Sequence, residues 1–172
     1  MPIEEVMAPT RRAFLMACLA PFPIAAATGA RGSDPNRERA EIVEHQVLLL
    51  TNQMRLDRRL GVLEPSEALA AIARRHSQDM LDRGYFDHCT PEGLHSADRI
   101  ALGGLDFGAT GENIYMVRDA ARSPASLAAA MVKGWMNSRD HRANILTPDY
   151  RLVGVGVIVA PRFVFATQLF GG

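Results

Sequence analysis

Two apolar segments, residues 152–160 and 163–170, close the chain, with only Pro161-Arg162 as a turn between them. Such segments pair as an antiparallel hairpin. In the first, Gly154 and Gly156 alternate with valines, and no helix follows directly. They are therefore not a phosphate loop; glycines inside a strand let another backbone approach closely. Everything upstream has helical punctuation. Helices first and a terminal hairpin last predict an α+β fold, an α-β-α sandwich around a small central antiparallel sheet.

Residues 38–59 mix Ile42, Leu48, Leu49 and Met54 with many charges, which reads as a helix packed on one side and ended by Gly61. Residues 31–40 read as a polar lead-in, and residues 41–172 as the folded domain. Glu64-Pro65-Ser66 opens a second helix with Ser66 as N-cap. Leu69, Ile72, Ala73, His76 and Met80 share one face of it, and Gly84 ends it. Residues 85–94 form a loop. Ser96 caps a short helix to Leu102, and glycines 103, 104 and 108 mark the loop that leads into Gly111–Met116. Ser123-Pro124 pairs an N-cap with proline at the first helical position. The face of that helix carries Leu127, Met131, Gly134, Trp135 and Ser138. His141 then starts a polar turn just past its end.

The chain has 172 residues, of which 48% are hydrophobic, enough for one ordinary domain with its own core. Its 19 basic and 19 acidic residues cancel, which argues against a nucleic-acid partner. At the N-terminus, Thr10-Arg11-Arg12-Ala13-Phe14-Leu15 precedes an apolar, alanine-rich run to Ala27. A charged start, a short apolar segment and a small-residue end describe an export signal over residues 1–30, and its paired arginines resemble a twin-arginine signal. Pro21 and Pro23 interrupt the run, which is too short to span a bilayer, so no transmembrane segment is expected after cleavage. Cleavage would remove Glu4, Glu5, Arg11 and Arg12 and leave the charge balanced. It would also remove Cys18, so Cys89 stands alone without an internal disulfide.

Among the histidines at 45, 76, 88, 95 and 141, no pair forms a tight metal motif. His88 follows Tyr85 and Phe86 in a loop, and Glu112 sits between Gly111 and Asn113. With His141 they can bind a divalent metal, act as an acid–base pair, or hydrogen-bond loop backbone and one another. His76 lies on an apolar helix face and reads as a satisfied core histidine; His45 and His95 read as surface residues. Ser138 lacks a G-x-S-x-G elbow, so a serine-hydrolase reading fails. Cys89 is adjacent to His88 in sequence, which seldom gives Cys–His geometry.

Several motifs then line up in order. His76-Ser77-x-Asp79-Met80 and Gly84-Tyr85-Phe86-Asp87-His88 come first, with Thr90-Pro91-Glu92-Gly93 and Asp98-Arg99 following. Gly111-Glu112-Asn113-Ile114 precedes Trp135-Met136-Asn137-Ser138-x-x-His141-Arg142-x-Asn144-Ile145-Leu146. Val153-Gly154-Val155-Gly156 and Thr167-Gln168-x-Phe170-Gly171 close the series. Together they resemble the bacterial CAP superfamily, also called SCP-like or PR-1-like extracellular proteins, across residues 42–171. The resemblance implies an α-β-α sandwich with a cleft that in many members holds two His and two Glu, sometimes with a metal. The first His and first Glu carry over to His88 and Glu112. The second Glu position is Ser138 here, and the second His position is Phe165.

The expected cleft is therefore His88, Glu112, His141 and Ser138, supported by Arg142, Asn144, Trp135 and Asn113. His88, Glu112 and His141 are the expected ligands if a divalent metal such as zinc binds. An exported module that binds an envelope lipid, glycan or protein is the first functional expectation. A metal-assisted or acid–base hydrolase using the same residues is the second.

Overall fold

The computed structural model describes residues 34–172, so the expected signal peptide and Cys18 lie outside the described residues. The first helix, α1, runs Pro35–Leu56. Asp34 caps it by accepting the Asn36 N–H at 3.0 Å, with Pro35 in the first turn. Residues 35–40 thus belong to the helix and not to a lead-in, because Asp-Pro is itself a helix start. A two-residue strand, β1 (Glu64–Pro65), precedes α2 (Glu67–Arg83). Ser66 caps α2, and Gly84 ends it in the left-handed conformation at φ 70°.

The short helix α3 spans Ser96–Leu102. Its N-cap is His95 and not Ser96, since Asp98 Oδ2 accepts the His95 N–H at 2.9 Å. Strand β2 covers Thr110–Val117. After it come α4 (Pro124–Asn137) and α5 (Arg139–Leu146), so His141 lies in a helix and not in a turn. The hairpin is β3 (Leu152–Val159) and β4 (Val164–Gly171).

The sheet order is β1-β3-β4-β2. β3 and β2 both pair antiparallel with β4, but β1 runs parallel to β3. The sheet is therefore mixed. The connection out of α1 passes along the outer edge of β3, where Glu64 N–H donates to Arg151 O and Ser66 N–H to Val153 O, both at 2.8 Å. Pro65 donates nothing, which an edge position tolerates.

Alternation along β4 divides the core into two layers. Val164, Ala166 and Phe170 pack with Val43 and Val47 of α1 and with Leu127, Met131 and Trp135 of α4. Leu169 packs with Leu69, Ile72 and Ala73 of α2, and Phe165 with Met80. The expected α-β-α sandwich is the architecture found. On the α2 side, a Cβ on Gly154 would lie 2.2 Å from the Ala70 nitrogen, and one on Gly156 would lie 2.1 Å from the Arg74 nitrogen. These glycines let the helix backbone rest directly on the strand.

The opposite edge of the sheet is finished by side chains. Alternate carbonyls of β2 face outward, and buried ones need donors. Tyr150 Oη donates to Thr110 O at 2.8 Å, Asn144 Nδ2 to Glu112 O at 2.8 Å, and Trp135 Nε1 to Ile114 O at 2.9 Å. Gly111 makes room, since a Cβ there would meet Tyr150 Oη at 2.5 Å. The tryptophan-to-asparagine motif thus docks α4 and α5 along this strand.

Candidate functional site

Glu112 stands on β2 opposite Leu169, on the face covered by α2 and α3. It is 6% exposed, and both of its carboxylate oxygens are occupied. His88 Nδ1 donates to Oε1 at 2.8 Å, and Arg99 Nη2 donates to Oε2. Arg99 comes from α3 and also donates through Nη1 to His88 O at 3.0 Å and to Leu94 O at 2.8 Å. It therefore anchors the loop that carries His88 as well as the carboxylate beneath it. The carboxylate fixes the His88 tautomer with the proton on Nδ1. The imidazole itself is 48% exposed.

His141 reaches the same place from α5. Its ring centroid lies 5.9 Å from that of His88. Its backbone is held by Asn113, whose Nδ2 donates to His141 O at 3.2 Å. Asn144 ties α5 to β2, donating to Asn113 Oδ1 at 3.0 Å as well as to Glu112 O. Gln168 continues the chain to Thr51 of α1 at 2.9 Å. Arg142, expected in a supporting role, donates to the backbone carbonyl of Met136 near the end of α4 at 3.3 Å, on the surface. Ser138 separates α4 from α5, and its side chain forms no capping hydrogen bond. The cleft residues brought together are therefore His88, Glu112 and His141, with Arg99 as a member that sequence reasoning missed.

The two imidazoles differ. The Glu112 hydrogen bond holds the pKa of His88 above the ordinary histidine value. Burial, reinforced by the neighbouring His88 charge, holds that of His141 below it. A proton entering the pair goes to His88, which leaves His141 as neutral acceptor. Burial likewise lowers the pKa of His76, which bonds Asp87 O at 3.1 Å and is the core histidine expected. His45 and His95 are exposed. Cys89 is free, and its Sγ faces Thr90 O at 3.4 Å.

The expected metal ligands do not form a ligand set. Arg99 takes the Glu112 oxygen a cation would need and brings its own positive charge, and the Nδ1 bond to Glu112 leaves Nε2 as the one nitrogen of His88 open to a ligand. Among the described residues, no group of three or more His, Cys, Asp or Glu is arranged to hold a metal ion. Phe165, at the second expected His position, packs instead against Phe86 and Phe163 at 6.3 and 6.1 Å between centroids.

Comparison with known proteins agrees with this architecture. Residues 48–170 match the model of CAP, the cysteine-rich secretory protein family. The uncharacterized protein YkwD of Bacillus subtilis is 38% identical over 115 residues, 67% of this chain and 42% of that protein. The uncharacterized membrane protein YlbC of the same organism is 39% identical over 115 residues, 66% of this chain and 31% of its own length. The chain thus spans less than half of either curated relative. An extracellular SCP-domain protein from Bacillus anthracis superposes with a TM-score of 0.66 at 33% identity, over 84% of this chain and 45% of that one. An outer surface protein of Borrelia burgdorferi shares the fold at a TM-score of 0.66 and 18% identity, over 75% of this chain and 91% of its own.

Proposed function

The chain belongs to the cysteine-rich secretory protein (CAP) family, and from that premise we propose that it is an exported module that binds a hydrogen-bonding ligand of the cell envelope. Glycans are the class that the polar lining favours. One observation carries this reading: a buried carboxylate, clamped by Arg99, aims a half-exposed His88 at solvent beside a neutral His141. With Nδ1–H held by Glu112, His88 turns Nε2 to solvent, an acceptor when the ring is neutral and a donor when it is protonated, and neutral His141 carries one donor and one acceptor, a set that suits hydroxyl and amide groups. Hydrogen bonds made by pre-oriented groups cost little ordering on binding.

A screen of envelope glycans, lipids and peptides tests this. Affinity for a hit should fall at least tenfold in a His88→Gln/His141→Gln variant, about 1.4 kcal/mol. A hit whose affinity ignores both substitutions would place the ligand elsewhere. The opposed protonation tendencies of His88 and His141 favour a second reading, acid–base hydrolysis. Product that forms with the wild type and disappears in the double variant would establish it.

Export rests on the arginine pair and apolar run of residues 1–30, together with the extracellular and outer-surface descriptions of the structural relatives. No helix among the described residues is long and apolar enough to cross a membrane. Arg11→Lys/Arg12→Lys should trap precursor in the cytoplasm; continued export would exclude the twin-arginine route.

A further inference from the structure

A groove of about 710 Å³ runs between α2, the turn at residues 90–94, and α3. Residues four apart on a helix share a face, so Arg75, Asp79 and Arg83 form one row along α2. Arg99 joins them from α3, and Glu92 from the turn. Arg99 is paired with Glu112 and Arg83 with Asp79 and Glu92, which leaves Arg75 as the arginine of the lining that has no ion pair among the described residues. Ile72 and Leu94 contribute apolar surface, and Leu102 is 75% exposed.

Three features of this lining point to an anion. Arg83 already holds a carboxylate in a two-pronged grip, with Nη1 on Glu92 Oε2 at 2.9 Å and Nη2 on Glu92 Oε1 at 2.5 Å. Arg75 is exposed and forms no ion pair or hydrogen bond among the described residues. The buried Nε of Arg99 has no hydrogen-bond partner. Planar guanidinium groups match carboxylate and phosphate geometry.

Glu92 reaches Arg83 from a well-defined turn. Gly93, at φ 91°, donates to Thr90 O at 2.8 Å, and Thr90 N–H donates to Leu94 O at 3.0 Å. The Glu92 side chain is nevertheless 59% exposed, and exposed ion pairs contribute little net stability. Exchanging it for an external anion therefore costs little.

We propose that this groove binds a carboxylate or phosphate monoester carried on an organic body, received by Arg83 and Arg75, with Glu92 as the internal carboxylate that the ligand displaces. The apolar wall takes the organic part. Arg83 holds the Glu92 carboxyl down to about 2, so Glu92 competes as an anion throughout the neutral range. Arg99 borders both sites, but His88 and Glu112 do not line the groove, and Arg83, Arg75 and Glu92 belong to the groove alone, so substitutions at these three test it apart from the proposed cleft.

Calorimetric titration with phenyl phosphate, benzoate, inorganic phosphate and neutral phenol tests it. The two aromatic anions should bind more tightly than inorganic phosphate, and phenol should not bind. The tighter of the two aromatic anions identifies the favoured headgroup. Arg83→Gln should weaken binding at least about tenfold, and Arg75→Gln less. Glu92→Gln should tighten it about threefold or more, because the competitor is gone. His88→Gln should leave the affinity within about twofold. Unchanged binding in Arg83→Gln, unchanged or weaker binding in Glu92→Gln, or no binding by the wild type and Glu92→Gln alike would overturn the proposal.

Discussion

Arg99→Gln probes the centre of the cleft most directly. The native guanidinium is 10% exposed and the Glu112 side chain 3%, so the two charges meet largely out of water. Glutamine is too short to reach Glu112 Oε2, His88 O and Leu94 O together, so the carboxylate would keep only His88. Removing one partner of a buried ion pair typically costs about 3–5 kcal/mol, because the other charge stays buried. The His88 bond at 2.8 Å compensates in part, which places the loss near the lower bound, about 3 kcal/mol. At about 2–4 °C per kcal/mol, Tm should fall by roughly 10 °C.

The loss should also depend on pH. The folded-state pKa of His88 lies above its unfolded value. Its stabilisation is therefore complete below the unfolded pKa, about 6.5, and disappears as pH rises through the folded pKa. In the variant, the His88 imidazolium is the one remaining cation bonded to Glu112. The deficit should be larger at pH 8.5 than at pH 5.5. Urea unfolding at both pH values measures it, with Glu112→Gln and the double variant closing a thermodynamic cycle. A deficit under about 1 kcal/mol at both pH values, or one that is larger in acid, would refute the reasoning.

Other substitutions test the scaffold around the site. NMR titration should show His88 losing its proton at higher pH than His141, and His88→Gln should move the His141 titration upward; the reverse order would dissolve the pair. Gly156→Ala would drive a methyl into the α2 backbone and should destabilise by about 1–3 kcal/mol or more in chemical denaturation. Asn144→Ala strips the donor from Glu112 O and should cost about 1–3 kcal/mol, read as a lower urea midpoint with an unchanged slope.

Local punctuation was the most legible part of the fold. Ser66, Gly84 and Ser123-Pro124 mark helix ends that the structure reproduces, because capping depends on a few adjacent residues. β1 was invisible, since two residues carry no periodicity and only β3 makes them a strand. α5 was missed because Ile145 is its one buried residue, so no apolar stripe distinguishes it from a polar turn. Residues 111–116 carried no strand assignment because their middle holds Glu112 and Asn113, polar residues that long-range partners satisfy. His88 and Glu112 were legible through the family resemblance. Arg99 stood in the series of motifs but had no expected place in the cleft, because only the folded chain brings it to a carboxylate thirteen residues away.

The side-chain donors along β2 also bear on how this protein can meet others. An open sheet edge invites another strand to continue the ladder, which is a route to swapping, fibre growth and peptide capture. Here a strand laid against β2 would find the carbonyls of Thr110, Glu112 and Ile114 already taken. At the far side, Glu44 Oε1 accepts the Val157 N–H at 2.9 Å, so β3 is guarded past the end of β1. Backbone templating is thus blocked at these positions on both edges of the sheet. At these positions, recognition by this domain falls to side chains and cavities.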